Sequence, residues 1–208
     1  MSEKKDALKL GVLASGSGSN LQAIIDKCES GELPAEVAVV ISDRADAFAL
    51  ERARRAGVAA VFIDRKAYES ASAFNADIAR TLKEHGVELV VMAGYMRLLG
   101  REVLNAYPNR VLNLHPALLP SFPGAHGVAD ALAYGVKVTG VTVHFANEKF
   151  DDGPIILQEA VRVEEGDDEE SLAARIHAVE HRILPEAIKL FAEGRLVIDG
   201  KRVRILPG

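Results

Sequence analysis

Two polar side chains stand at the end of an apolar run in the middle of the chain. The stretch RVLNLHP places Asn113 and His115 two residues apart, and Pro116 follows. Because successive side chains of a strand point to opposite faces, Asn113 and His115 should share one face while Leu114 takes the other. An amide that donates and an imidazole that transfers a proton suit acyl transfer. The pair predicts chemistry on a carbonyl carbon, the alternative being two caps at a strand end.

A carboxylate for this pair is available in the loop ANEKFDDGP, which follows the run VTGVTVHF. We expect Asp151 or Asp152 to reach back toward the imidazole, because a carboxylate stabilises a charged imidazolium. The alternative is that both aspartates only shape the turn before Gly153 and Pro154. No Ser or Cys in these motifs has a neighbour that would activate it as a nucleophile, which favours direct transfer over a covalent intermediate.

A glycine loop, ASGSGSNLQAII, separates the first predicted strand from the first predicted helix and contains Gly16 and Gly18. Backbone N–H groups at a helix start attract anions, so a phosphate is expected near Gly18, Ser19 and Asn20. The loop lacks the third glycine of a dinucleotide site and the Lys-Ser/Thr pair of a P-loop. Asp43 after the second strand would suit a ribose, but NAD binding is disfavoured without that glycine. The alternative is a tight turn capped by Ser19 or Asn20.

The elements that must position these residues alternate between short apolar strands and amphipathic helices through the first half of the chain. This pattern predicts an α/β fold, a Rossmann-like open sheet that is mostly parallel and covered on both faces. The runs VTGVTVHF and IILQEAVRV should pair antiparallel, which places antiparallel strands in the C-terminal half. RLVIDGKRVRIL predicts a hairpin that turns at Asp199-Gly200, and Pro185 should kink the long helix before it. We expect one domain over 1–208, with a nucleotide-binding-like half at about 8–116 and a second half at about 117–208.

Composition limits the possible partners. The chain has 208 residues, 49% of them apolar and 26% charged, with a net charge of −5. The absence of a basic block argues against nucleic acid, and the absence of a run of about 18 apolar residues argues against a membrane. The start MSEKKDALKL lacks an apolar segment, so a cytoplasmic location is expected. Cys28 is the only cysteine and falls on an apolar helical stripe, which predicts a buried residue rather than a nucleophile.

Five motifs in order resemble the phosphoribosylglycinamide formyltransferases of purine biosynthesis: GVLASGSGSNLQAIID, AGYMRLL, NLHPALLPSFPGAHG, GVTVHFANEKFDDGPIILQ and VEHRILPEAI. The resemblance implies the formyltransferase fold and transfer of the formyl group of 10-formyltetrahydrofolate, as co-substrate, to the amine of N1-(5-phospho-D-ribosyl)glycinamide. It implies small-molecule substrates, no metal, and a monomer or homodimer. A ribose monophosphate agrees with a phosphate loop that lacks the dinucleotide pattern.

The resemblance also implies residue roles. His115 would be the general acid, Asn113 would hold the oxyanion and Asp151 would support the charged imidazole, while Asp152 stands where the family often has glycine. The residues implied to bind the ribonucleotide are Gly18, Ser19, Asn20, His177, Ala178, Val179 and Glu180, with His177 at a position where some members carry glutamine. Those implied to bind folate are Met96, Arg97, Leu98, Leu99, Asn113, Asn147, Glu148, Lys149, Phe150 and Asp151.

Three further positions are less settled by the resemblance. The arginine that meets the folate glutamate tail in some members has no counterpart in SASAF, and Arg65 is only a nearby candidate. His126 in PGAHG resembles a family histidine near the active site, although a direct catalytic role is the less favoured interpretation. His144 lies within a strand and is expected to be structural.

Rival functions remain open. Formyltetrahydrofolate deformylase has similar core motifs and is the principal alternative, although it usually carries an extra amino-terminal domain. Methionyl-tRNA formyltransferase needs a basic RNA-binding surface and usually a further carboxyl-terminal domain. The stretch HAVEH, with His177, Glu180 and His181, fits a zinc peptidase pattern but leaves few carboxylates after it for a third ligand. A non-enzymatic binding module would leave the arrangement of Asn113, His115 and Asp151 unexplained.

Overall fold

The computed structural model describes residues 7–208. Its strands are β1 Leu8–Leu13, β2 Ala35–Ser42, β3 Ala59–Phe62, β4 Leu89–Met92, β5 Val111–His115, β6 Val138–Phe145, β7 Ile155–Arg162, β8 Leu196–Asp199 and β9 Arg202–Ile205. Its helices are α1 Ser19–Glu29, α2 Phe48–Arg55, α3 Ala71–Glu84, α4 Arg101–Ala106, α5 Gly127–Tyr134 and α6 Glu169–Ala192, with one 3-10 turn at Arg65–Ala67. The alternation of strands and helices confirms the predicted α/β class.

Within residues 7–208 these strands form one nine-stranded sheet in the order β3-β2-β1-β4-β5-β6-β7-β9-β8. The pairs from β3 to β5 are parallel, while β6 pairs antiparallel with both β5 and β7. The predicted mostly parallel sheet with antiparallel strands in the C-terminal half is therefore confirmed. The strand order reverses between β1 and β4, and such a switch point opens a crevice at the carboxyl ends of the strands.

Apolar side chains fill both faces of the sheet. In β4, Leu89 and Val91 belong to one core cluster, and Val90 and Met92 belong to the other. The first cluster, which is the larger core cluster, packs under α1, α2 and α6. The second packs under α3 and α4. Burial on both faces explains why the strands read as continuous apolar runs. No helix among residues 7–208 has the length and hydropathy that a membrane span needs.

The C-terminal hairpin turns one residue later than predicted. Asp199 pairs with Arg202 as the last residue of β8, so the loop consists of Gly200 and Lys201 and the predicted turn at Asp199-Gly200 is wrong. Gly200 has φ 61° at the first loop position, the backbone region that glycine adopts without steric cost. The turn therefore forms around the glycine, which leaves Asp199 in the strand.

Two other expectations concern α6 and Cys28. α6 runs as one helix from Glu169 to Ala192 with Pro185 inside it. Cys28 is partly buried against the larger core cluster. Burial, with the carboxylates of Glu29 and Glu36 nearby, raises the pKa of its thiol to about 11. A thiol with so high a pKa is protonated at neutral pH and is a poor nucleophile.

Candidate active site

A cavity of about 580 Å³ lies along the carboxyl ends of β1, β4 and β5. One end is formed by the glycine loop and α6, the other by the segments that follow β4 and β6. Its lining includes Gly16, Gly18, Ser19, Asn20, Met96, Arg97, Leu98, Leu99, Asn113, His115, His144, Asn147, Lys149, Phe150, Asp151, His177 and Glu180. The cavity occupies the switch point of the sheet, and its volume is typical of small-molecule sites.

The structure brings Asn113, His115 and Asp151 together. Asn113 Nδ2 donates to Asp151 Oδ1 at 3.1 Å, and His115 Nδ1 lies 3.4 Å from Asp151 Oδ2. The side chains of His115 and Asp151 are only 4% and 5% exposed. Asn113 and His115 share one face of β5 because they are two residues apart, and the β6–β7 loop brings Asp151 to that face. An amide, an imidazole and a carboxylate therefore border one cavity.

Asp151 is held in place by a hydrogen bond from the loop after β5, and its backbone has an uncommon conformation. The Gly124 N–H donates to Asp151 Oδ2 at 2.8 Å. Asp151 has φ 48°, an unusual value for a residue with a side chain, and such geometry persists only where the surroundings enforce it. Two residues on, a Cβ on Gly153 would lie 1.6 Å from the Phe145 carbonyl oxygen, so no side chain fits there.

The carboxyl group of Asp151 is ionised at neutral pH. Burial raises the pKa of Asp151, but this effect is outweighed by the neighbouring His144, by the Gly124 N–H and by the attraction of His115. Together these interactions hold the pKa of Asp151 below its usual range. A buried carboxylate that remains charged is suited to stabilising a positive charge on an adjacent imidazole.

His115 meets an oxygen at each ring nitrogen. Nε2 lies 2.7 Å from the Phe122 carbonyl oxygen, and Nδ1 faces Asp151. Phe122 has φ 50°, which turns its carbonyl toward the ring from the loop after β5. A ring with a proton on both nitrogens satisfies both acceptors. Nε2, the ring nitrogen that does not face Asp151, is thus occupied by the Phe122 carbonyl in this structure.

His144 lies beside the same cluster and is buried, with a partner at each ring nitrogen, as expected for a structural histidine. Its Nδ1 lies 2.9 Å from the Phe145 carbonyl oxygen, and its Nε2 lies 3.0 Å from Asn113 Nδ2 and 3.6 Å from Asp151 Oδ1. His144 is directly opposite Asn113 in the antiparallel β5–β6 pair. That pairing is the signal that reveals it, because opposite residues in neighbouring strands point to the same face.

The glycine loop leaves the start of α1 without a side-chain cap. Gly18 is the N-cap with φ 71°, and no side chain of Ser19 or Asn20 caps the helix. The predicted alternative, a turn capped by one of these residues, is therefore wrong. Asn20 instead donates to Glu180 Oε2 at 2.8 Å, a buried contact between α1 and α6. The first N–H groups of α1 remain available to an anion in the cavity.

The α6 residues implied to bind ribonucleotide divide by helical position. His177 and Glu180 line the cavity, whereas Ala178 and Val179 do not. Ala178 is exposed, and Val179 packs against the core cluster, because residues three apart share a helical face and intervening ones turn away. His177 Nδ1 lies 4.0 Å from Glu180 Oε2. Within residues 7–208 no group of three His, Cys, Asp or Glu side chains is placed to hold a metal ion.

The segment after β4 presents apolar side chains to the cavity. Met96 and Leu98 are 59% and 44% exposed, and Phe150 across the cavity is 57% exposed. Asp43, which follows β2, fixes this segment, because its Oδ2 accepts a hydrogen bond from Arg97 Nε at 2.6 Å. Asp43 is thus engaged by the protein and is not free for a ribose.

Four residues named from the sequence lie elsewhere. Glu148 is absent from the lining and pairs with Arg101 at 2.9 Å, because it points outward from its loop. Asp152 pairs with Lys201 and not with an imidazole. Arg65 lines a neighbouring cavity of about 570 Å³, which shares Met96 and Arg97 with the first one. His126 is exposed at the start of α5 and does not line the main cavity.

The sequence and the fold match those of known proteins. A family model described as formyl transferase matches residues 8–188. The chain therefore belongs to the formyl transferase family, which confirms the predicted enzyme class. Membership implies a folate-type formyl donor and small-molecule substrates.

Individual relatives within the formyl transferase family are named for a more specific activity. A phosphoribosylglycinamide formyltransferase of Mycobacterium tuberculosis is 45% identical over 203 residues, which cover 95% of this chain and 94% of the relative. The crystal structure of glycinamide ribonucleotide transformylase 1 from Symbiobacterium toebii is 61% identical, with a TM-score of 0.96 over 97% of this chain and 95% of that chain. These relatives confirm the resemblance predicted from the motifs. A formyltetrahydrofolate deformylase from Pseudomonas syringae is 26% identical, with a TM-score of 0.90 over 98% of this chain and 67% of that chain.

Proposed function

We propose that this protein transfers the formyl group of 10-formyltetrahydrofolate to the amine of N1-(5-phospho-D-ribosyl)glycinamide, a step of purine biosynthesis. One observation carries the proposal. The cluster of Asn113, His115 and Asp151 borders the same cavity as the uncapped α1 start at Gly18. A phosphate held at Gly18 leaves the amine end of the substrate to reach toward the cluster.

In the proposed reaction the amine attacks the formyl carbon, and the carbonyl oxygen becomes an oxyanion. Asn113 stabilises the oxyanion with one N–H, which turns away from His144 to do so. His115 donates a proton to the departing folate nitrogen as its bond to the formyl carbon breaks. The oxyanion collapses to the carbonyl of the new formamide, and the attacking amine gives one proton to His115, which restores the charge of the ring. Asp151 remains ionised and holds the imidazolium in position.

The donor is proposed to lie against Met96, Leu98 and Phe150. All three apolar side chains are exposed and would be covered by the flat rings of a folate. Asn147, Lys149 and Phe150 of the β6–β7 loop line the same end of the cavity and would close over the rings. The basic side chains Arg65 and Lys66 in the neighbouring cavity are candidates to meet the glutamate tail.

Hydrolysis of the formyl donor is the second candidate, favoured by the structural likeness to a deformylase reported above. Water as acceptor needs no ribonucleotide site. A buried Glu180 anchored by Asn20 and an uncapped α1 start therefore support the transferase. The two activities are separated by supplying 10-formyltetrahydrofolate with and without the amine and following tetrahydrofolate and formylated ribonucleotide. Equal rates of folate release in both arms would establish the hydrolase and contradict the transferase.

A further inference from the structure

The C-terminal hairpin follows the residues matched by the family model, which end at residue 188. β8 and β9 nevertheless join the main sheet, with Arg202 of β9 paired to Ile155 of β7. Leu196, Ile198 and Val203 pack against the larger core cluster. The hairpin is therefore anchored on the body of the protein and does not hang from it.

The hairpin turn contacts the loop that carries the site carboxylate. Lys201 Nζ lies 2.8 Å from Asp152 Oδ1, and Asp152 directly follows Asp151. The pairing of Arg202 with Ile155 holds the same loop at its end. Asp151 has φ 48°, an uncommon backbone conformation that contacts from its surroundings help to maintain. Two contacts from one hairpin thus fall within four residues of Asp151.

We infer that the C-terminal hairpin is a positioning element for the active site, in which Lys201 holds Asp152 and thereby fixes Asp151 against His115. The inference rests on the proposed role of Asp151 in formyl transfer. Lys201 and Asp152 are positioning residues, since Asp152 points away from His115. The ion pair is exposed, with side chains 77% and 37% accessible, so its effect on the reaction is modest.

A charge swap tests the inference. Lys201→Asp should lower kcat for formyl transfer about two- to fivefold, the range for loss of an exposed ion pair, with the Kd for ribonucleotide unchanged. Asp152→Lys should do the same, and the double variant Asp152→Lys/Lys201→Asp should return to within about twofold of native. The matched control is Lys137→Asp, which breaks the ion pair with Glu165 at 2.9 Å and 77% lysine exposure. Lys137 lies outside the cavity, so its substitution should leave kcat unchanged.

Two outcomes would overturn the inference. One is a double variant as slow as the single ones, and the other is a Lys201→Asp enzyme that behaves like Lys137→Asp. A merely structural role would lower the melting temperature without changing kcat of the folded enzyme.

Hydrogen exchange in residues 146–154 tests the inference without any activity. Exchange should be faster in Lys201→Asp than in Lys137→Asp and should be restored by the swap. If the native protein transfers no formyl group, the proposed function fails while this exchange measurement still decides whether the hairpin holds the loop. Equal exchange in Lys201→Asp and Lys137→Asp would reject the hairpin as a positioning element.

Discussion

Replacement of His115 by alanine is the most direct test of the catalytic cluster. The substitution removes the proposed proton donor, and loss of a general acid costs about 10²–10⁴ in rate, or roughly 3–5 kcal/mol of activation free energy. Asp151 keeps its contacts with Asn113 and Gly124, so the carboxylate should stay in place. The rate loss should therefore report the ring itself.

Ribonucleotide binding should survive this substitution. His115 ends β5 and the glycine loop follows β1, with β4 between them in the sheet. Two strand spacings separate these sites by about 10 Å, beyond direct contact. Calorimetry should give a Kd within about twofold of native, while single-turnover kinetics show the slower chemical step. The melting temperature should fall, because the Phe122 carbonyl loses its donor.

The control is His126→Ala, which removes an exposed histidine outside the cavity and should leave turnover unchanged. Turnover of a folded His115→Ala enzyme within about threefold of native would refute the role of the ring. A loss confined to ribonucleotide affinity would refute it equally, since that result would assign His115 to binding.

Three further predictions concern phosphate binding and pH. A Cβ on Gly16 meets no protein atom within 4 Å, so Gly16→Ala should keep the melting temperature. The same substitution should weaken ribonucleotide binding measured by calorimetry, because the phosphate must approach bare backbone. A Cβ on Gly18 would lie 2.7 Å from Ala49 Cα, so a substitution there should also lower the melting temperature. Because the pKa of Asp151 lies below its usual range, this group is ionised above about pH 4 and can support a charge on His115 throughout pH 5–8. Asp151→Asn should therefore slow turnover across this range, with the largest loss at the high-pH end, where a charged ring depends most on the carboxylate; native turnover at pH 8 would contradict this. Burial lowers the pKa of His181, so its contribution to stability is complete above about pH 6.5 and is lost as the pH falls. The melting temperature of His181→Gln should therefore fall less than that of the native protein between pH 7 and pH 5. An equal fall in the two proteins would count against the argument.

Features that depend on local periodicity could be predicted from the sequence. Continuous apolar strands such as LVVM between helical patterns indicated a sheet buried on both faces. The spacing of Asn113 and His115 sufficed to place both on one face of β5, and the short β6–β7 connection sufficed for an antiparallel pair. Each of these inferences uses residues close together in the chain, where strand geometry determines direction.

Features that depend on non-local register could not be predicted in the same way. His144 enters the cluster because β6 lies antiparallel beside β5, a pairing made across α5 and the loop before it. The outward placement of Ala178 and Val179 is different, since helical spacing alone separates them from His177 and Glu180 and the sequence does contain that signal. The carboxylates of Glu148 and Asp152 form ion pairs with Arg101 and Lys201, which lie far away in the sequence.

The absence of room for a side chain at Gly153 restricts how the donor end of this enzyme can be redesigned. Since the Phe145 carbonyl fills the space that a Cβ would need, position 153 must remain glycine, and Asp151 cannot be moved by a one-residue insertion or deletion that puts another residue there. Changes of length or bulk meet less obstruction upstream, where Lys149 and Phe150 are exposed. A library aimed at accepting altered formyl donors would therefore vary 147–150 and keep 151–153 constant.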